Sequence, residues 1–469
     1  MERKTKIVAT LGPACASYER IRELVAAGMD VARLNFSHGD HETHRRFAGW
    51  VRAAAAEEGR VVALLQDIQG PKIRIGRFPG GGVELPTGAE VRLLVGDGQG
   101  DAQTIFIDYP HLTEDIQPGE DVLLADGLIR LNVTASTPQG LRARVEVGGT
   151  LGDLKGVAFP QSELRAPAIT DKDRRDLAFG RELQVDYVAA SFVRSAADVR
   201  LVSELAGPDT PVVAKIELAA GYAQLDSILE VSPAIMVARG DLGVQLPLQR
   251  IPLIQIDILT RTNAAGRLSI TATEMLESMT HATRPTRAEV TDVASAVLEG
   301  TDAVMLSAET ATGLYPVRAV EVMDVICREV EGSLGPPKLD RGLLHDAEGF
   351  PSATAKAAVD AASALGIDTI VAFTETGNSA RLLSKYRPQA RILAFTPEPR
   401  AMARMALFWG VRPLSYERLG STDEMIAFAG RQLLVMGICQ PGERVVMIAG
   451  VPPNERHSTN LLKLHVLGS

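Results

Sequence analysis

The chain has 469 residues, 46% hydrophobic, 23% charged and 4% aromatic, with a formal charge of −9. The apolar content excludes a mainly disordered chain, and the excess of acid with few stacking rings argues against nucleic acid as the main partner. At roughly 150 residues per domain, the length predicts about three domains with surface enough for sizeable cores.

No segment approaches the ~18 uncharged apolar residues of a membrane helix, and the start lacks a signal-peptide core. Neither a membrane span nor export is expected. Cys15, Cys327 and Cys439 are too scattered for a disulfide framework or a CxxC metal pair, which favours the reducing cytoplasm.

In chain order, short β-branched runs alternate with helical patterns. They fall at residues 6–9, 30–34, 61–65, 186–190, 212–215, 234–238, 269–272 and 303–306. Fully apolar runs of this kind belong to buried parallel strands, and eight of them predict an α/β fold, a (β/α)8 TIM barrel. Nearly every run ends in residues with chemistry: Arg33 and Asn35, Asp67, Ser191, Lys215 and Glu217, Arg239 and Asp241, Thr273, then Glu309. Barrel enzymes work at the face built from strand C-terminal ends, so this repetition is the functional signal.

Between the third and fourth runs, residues 72–154 change to glycine turns and short alternating strands, as at 91–95, 121–124 and 141–147. They predict an inserted small all-β barrel domain that acts as a lid over the mouth. The catalytic barrel then comprises residues 1–71 and 155–336. Gly332–Pro337 reads as a linker, and residues 337–469 as a C-terminal α/β domain with strands near 369–373, 391–395 and 444–448.

Alternation along a strand places Lys215 and Glu217 on one face, and the same parity is expected of Arg239 and Asp241. Two carboxylates from neighbouring strands are a partial shell for Mg²⁺, which keeps waters and takes substrate oxygens. Lys215 then opposes charge on a transferring phosphoryl group or an enolate. A purely structural lysine–carboxylate network fits the same spacing. Gly240 fits either a close approach of substrate to backbone amides or a simple turn. Arg33 suits phosphate oxygens or a surface ion pair. Thr273 is a relay for a proton through water or a capping threonine. His38, His41 and His44 drift around a helix at that spacing, which argues against a metal site.

Several segments together resemble the pyruvate kinase family over essentially the whole chain. They are Ala9–Pro13, Arg33–Gly39, Gly70–Arg74, Lys155–Val157, Ala214–Glu217, Met236–Gly243, Met275–Met279 and Arg284–Glu289. The resemblance implies phosphoryl transfer from phosphoenolpyruvate to ADP, giving pyruvate and ATP, the final step of glycolysis. It implies Lys215 as the transition-state lysine, Glu217 and Asp241 as ligands for Mg²⁺ or Mn²⁺, and Arg33 on the phosphoryl group. The amides of Gly240 and Asp241 would hold the carboxylate, and Thr273 would lie near the enolate carbon. Asn35, Phe36, Ser37, His38, Arg74 and Lys155 match nucleotide-contacting positions. A homotetramer is implied as well.

The family's monovalent-cation pocket falls on Asn35, Ser37, Asp67 and Ile68. Potassium-dependent members usually carry a glutamate where this chain has Lys72, and Ile68, Gln69 and Ile75 resemble the set that accompanies the lysine in the potassium-independent branch. The expectation is activity without K⁺, with a divalent ion still required. Leu218, Pro233–Ala234, Ile256, Glu274 and Ala308 also depart from the usual pattern, without removing a named catalytic group. In the C-terminal domain, Thr374, Thr376 and Ser379 lie between a strand and a helix, where the family binds sugar-phosphate effectors; ordinary helix capping is the alternative. Two other readings compete: a Mg²⁺-dependent lyase or aldolase acting on enolates, and a non-catalytic sensor. The first has no use for Lys155, Arg74 or the lid, and the second has none for an intact catalytic set.

Overall fold

A computed structural model describes residues 2–334, 349–452 and 459–468. Eight parallel strands close into a barrel: Lys6–Leu11, Val31–Asn35, Ala63–Asp67, Tyr187–Ala190, Val212–Ile216, Ala234–Ala238, Leu268–Ala272 and Ala303–Leu306. Each pairs with its neighbour in chain order, and the last closes on the first. Seven of the eight are buried at every residue, because helices cover one face and packed side chains fill the other. The exception is Val31–Asn35, where Arg33 and Asn35 are partly exposed at the C-terminal end.

Local chemistry sets the covering helices. Thr170 with Asp173, Ser195 with Asp198 and Thr286 with Glu289 form reciprocal capping boxes at three of their N-termini. The segment 284–289, which carries part of the family resemblance, is thus also a helix start.

The insertion leaves after Ala63–Asp67 and is all-β. It forms a curled half-barrel: six strands in one open sheet, with Gly82–Leu85 and Gly149–Gly152 as a separate ribbon. Its sheet ends on Val157–Ala158, which pairs with Asp121–Leu124, so its hydrogen bonding runs past Lys155. It has its own core around Leu93, Ile105, Leu131 and Val145.

The C-terminal domain is α/β with a mixed sheet in the order Val411–Ser415, Arg391–Thr396, Thr369–Phe373, Arg444–Gly450, Thr459–Val466, the last strand antiparallel. One hydrophobic cluster runs from the barrel interior (Val8, Val31, Met236, Ile270) into this domain (Leu382, Leu383, Tyr386, Phe408). The C-terminal domain therefore plugs the base of the barrel, and the mouth at the opposite end stays open for chemistry.

One expectation is corrected. The helix Pro316–Leu334 continues through Gly332–Leu334, which read as linker. Ala319, Val320, Met323, Ile326 and Cys327 bury an apolar stripe along it, and packing of that stripe outweighs the helix-breaking tendency of one glycine. Residues 335–337 of the expected linker lie outside the described residues.

Candidate active site

Strand ends deliver the site. Lys215 and Glu217 leave the fifth barrel strand buried, and the Lys215 ammonium lies 2.8 Å from Glu217 Oε1 and 3.1 Å from Asp67 Oδ1. It also donates to Ser191 Oγ at 2.7 Å. Burial opposes the lysine's charge, but Asp67 and Glu217 together outweigh it and push Lys215 above its ordinary range. Lys215 is a fixed cation.

Asp67 is shared. Its other oxygen takes Arg33 Nε at 2.7 Å, and Arg33 also reaches Thr10 Oγ1 at 3.0 Å. Burial would raise the Asp67 carboxyl; Lys215 and Arg33 overcome this and hold it below the usual range. The predicted monovalent pocket is thus densely partnered. Ile68 O accepts from Ser191 Oγ at 2.7 Å, and Asn35 Oδ1 from Ser37 N at 3.1 Å. Lys72 makes no hydrogen bond or ion pair to Asn35, Ser37 or Asp67 among the described residues. Its side chain runs beside Gly156, at the return of the insertion.

Glu217 Oε2 accepts the Phe192 amide at 2.6 Å. Burial lifts this carboxyl, Lys215 pulls it back in part, and the neighbouring charge of Asp241 lifts it again. Two acids that repel each other with hard oxygen donors are what a divalent cation relieves. The residues fit such an ion, and only two are needed because Mg²⁺ retains waters. No cluster of three or more metal-type side chains occurs among the described residues.

The parity argument fails for Asp241. The sixth strand stops at Ala238, and Arg239–Gln245 is a short helix, so Arg239 and Asp241 do not share a strand face. Arg239 instead turns away and clamps the next strand end. Its guanidinium donates to the carbonyls of Thr273 and Glu274 and holds Asp292 through two bonds of 2.6 and 2.7 Å on Nη1. The clamp has work to do: Thr273 and Glu274 are both left-handed, with φ of 66° and 53°. For a β-branched residue that conformation costs on the order of 1–3 kcal/mol and persists only when neighbours enforce it. Sequence reasoning missed this role; an arginine beside a strand end does not reveal which way it points.

Gly240 is not a turn glycine, since its φ lies outside the left-handed region. A Cβ there would meet Thr273 Oγ1 at an ordinary 3.4 Å, so glycine simply keeps the space before Thr273 open. The Gly240 amide donates to Thr273 Oγ1 at 2.8 Å. Gly70, at the hinge of the insertion, does need its freedom: φ is +67°, and a Cβ would press on Ser191 and Phe192 at 3.0 Å.

The nucleotide-matching residues surround His38, which is exposed. Burial and the charges of Arg74, Arg33, Lys72 and Lys172 lower its pKa. Arg74 donates to Leu154 O at 3.0 Å, and Lys155 is exposed beside it. Phe36 corrects one expectation. Its ring is buried and stacked on His44 at 4.1 Å, because the strand's alternation turns it into the helix layer, so only its backbone remains for a ligand. His41 stacks on Phe179 and pairs with Asp176, and His44 bonds His38 O. Each of these two rings has a packing task.

A closed β/α barrel with a fixed cation, an acid pair and a basic rim at its mouth defines a metal-assisted enzyme acting on small anions. Comparison narrows the class. Residues 2–320 match the pyruvate kinase barrel domain, and residues 352–465 the pyruvate kinase alpha/beta domain. A pyruvate kinase of Geobacillus stearothermophilus is 42% identical over all of this chain and 81% of its own length. One from Corynebacterium efficiens is 42% identical over all of this chain and 98% of its own. The crystal structure of a pyruvate kinase from Cryptosporidium parvum superposes with a TM-score of 0.92 at 35% identity, covering 99% of this chain and 96% of that one. The chain belongs to the pyruvate kinase family, and its activity is phosphoryl transfer between phosphoenolpyruvate and ADP with a divalent metal.

Proposed function

We propose that this chain is a potassium-independent pyruvate kinase whose chemistry runs at the Lys215–Glu217–Asp241 cluster. The supporting observation is the Lys215 ammonium, held charged between Asp67 and Glu217 at a barrel strand end. Arg33 and Lys215 grip the phosphoryl group, and Lys215 opposes the charge that grows on it during transfer. A Mg²⁺ or Mn²⁺ ion on Glu217 and Asp241 would supply Lewis acidity to the phosphoryl and enolate oxygens. The amides of Gly240 and Asp241 receive the carboxylate. The Gly240 amide must then release Thr273 Oγ1, which turns the hydroxyl toward the enolate carbon. A threonine hydroxyl is too weak an acid to protonate carbon unaided, so it relays a proton through water. ADP contacts Asn35, the Phe36 backbone, Ser37, His38, Arg74 and Lys155.

Lys72 replaces the monovalent ion in the pocket of Asn35, Ser37, Asp67 and Ile68. Support comes from its charge, which reaches the same rim: it contributes to the lowering of His38. Turnover with Mg²⁺ in tetramethylammonium salts should lie within about twofold of turnover in K⁺, and Lys72→Glu should create a K⁺ requirement. A large fall for the unmodified chain in tetramethylammonium rejects the reading.

The domains divide as residues 1–71 with 155–336, 72–154 and 337–469, and the chain acts in the cytoplasm as a homotetramer. All three cysteines are free and buried, which suits a reducing compartment. No described helix is long and apolar enough to cross a membrane. Thr374, Thr376 and Ser379 bind a sugar-phosphate or nucleotide effector. Thr374 accepts the Gly377 amide at 2.9 Å and Ser379 meets Thr459, so Thr376 is the residue chosen for the test. Titrating activity with both effector classes, against Thr376→Glu, tests this and light scattering tests the assembly.

A further inference from the structure

A cavity of about 280 Å³ opens at the base of the barrel, where the helix His41–Glu57, the turn before the fourth strand and the C-terminal helix Pro399–Arg404 meet. Three guanidinium groups line it: Arg52, Arg400 and Arg404. Two aspartates, Asp186 and Asp209, share the lining, which leaves one guanidinium in excess. Arg52 donates to the carbonyls of Leu183 and Gln184, at 2.7 and 3.0 Å. Arg400 pairs with Asp209 at 3.1 Å, but both side chains are more than half exposed, where such pairs count for little. Arg404 gives one nitrogen to the Asp209 carbonyl, while its buried Nε has no hydrogen-bond partner among the described residues. A buried N–H without an acceptor is costly and rare, and marks a place where an acceptor belongs.

The remaining wall adds specificity. Asp186 takes the Leu64 amide on Oδ2 at 2.7 Å, while Oδ1 accepts no hydrogen bond from the described residues. Gln184, in a left-handed turn with φ of 53°, lines the same wall. Guanidinium forks match phosphate oxygens, whereas an open carboxylate and an amide match hydroxyl groups. The volume is small for a nucleotide.

We propose that this cavity binds a small phosphate monoester bearing hydroxyl groups, its phosphate between Arg52, Arg400 and Arg404 and a hydroxyl on Asp186. The site is separate from the loop at Thr374–Ser379 and from the mouth. It borders the N-terminal end of the Tyr187–Ala190 strand, whose opposite end leads to Ser191 and Phe192, the partners of Lys215 and Glu217.

Two measurements on the full-length chain decide it. Crystals soaked in selenate should show an anomalous peak within hydrogen-bond distance of Arg52 and Arg404, absent from Arg404→Gln crystals. Calorimetry with glycerol 3-phosphate should show at least tenfold weaker binding, or one fewer site, in Arg404→Gln and in Arg400→Gln, with Thr376→Glu unchanged. Arg400 is exposed, so its replacement leaves the fold intact and serves if Arg404→Gln does not fold. No selenate peak, a peak with no difference in solution, or equal loss in Thr376→Glu each overturns the proposal.

Discussion

Each end of the barrel buries an aspartate between a lysine and an arginine, and the two trios behave in opposite ways. At the mouth, Asp67 lies between Lys215 and Arg33; at the base, Asp302 lies between Lys385 and Arg387. The mouth adds Glu217, so Lys215 faces two acids and is pushed up. The base adds no second acid near Lys385 among the described residues: its other neighbours are the Asn263 carbonyl oxygen at 2.9 Å, the face of Trp409 against Arg387, and the further cation Arg381. There burial dominates, Asp302 offsets it in part, Arg387 and Arg381 add to the lowering, and Lys385 falls to about 7. Burial alone does not set a lysine's charge; the ratio of acids to bases around it does. The mouth keeps a cation ready for a substrate anion, while the base joins two domains with no such need.

The sharpest way to break this contrast is to remove each lysine in turn. Lys215→Met should lower kcat by roughly 10³-fold or more with a smaller change in KM for phosphoenolpyruvate, the mark of an interaction made in the transition state. Lys385→Met should leave kcat within about threefold, since it touches no reacting atom. Steady-state kinetics of both variants decide, and comparable losses would erase the distinction. Removing the shared acid at the base has the next largest effect. Asp302→Asn leaves the buried Arg387 cation uncompensated and should cost about 3–5 kcal/mol in denaturant unfolding, far more than Lys385→Met. Third is Thr273→Ala, which should lower turnover by about 10²-fold at the protonation step. Uptake of solvent deuterium into the pyruvate methyl group separates that step from phosphoryl transfer; equal loss in both would remove the relay from Thr273.

Much of the mouth was legible because it is built from strand ends. Fully apolar runs and their polar termini gave all eight strands and set Lys215, Glu217, Asp67 and Arg33 at one end of the barrel. What was hidden depends on direction rather than residue type. The strand before Arg239 gives way at Ala238 to a short helix, which sends Arg239 to the Thr273–Glu274 turn and not toward Asp241. Phe36 faces the helix layer for a similar reason, one position of alternation away from Asn35. The Lys385–Asp302 trio was invisible because 83 residues separate its partners and both are ordinary loop- or helix-end residues in sequence. Domain docking, which no local pattern encodes, brings them into contact.

The smallest effect is the most specific to the base. A lysine with a folded pKa near 7 and an unfolded value near 10.5 binds fewer protons folded than unfolded anywhere between those values. Stability must then rise with pH across that window, by up to about 1.4 kcal/mol per unit, and level off below pH 7. Lys215 is shifted the other way, so its contribution is complete below pH 10.5 and is lost only above it. Between pH 7.5 and about 9.5 the two lysines therefore predict different slopes from the same kind of trio. Urea midpoints measured across that range should climb in the unmodified chain and in Lys215→Met, and should flatten in Lys385→Met. A slope that survives in Lys385→Met would mean that the base lysine is charged after all. The two ends of the barrel would then differ only in what they bind.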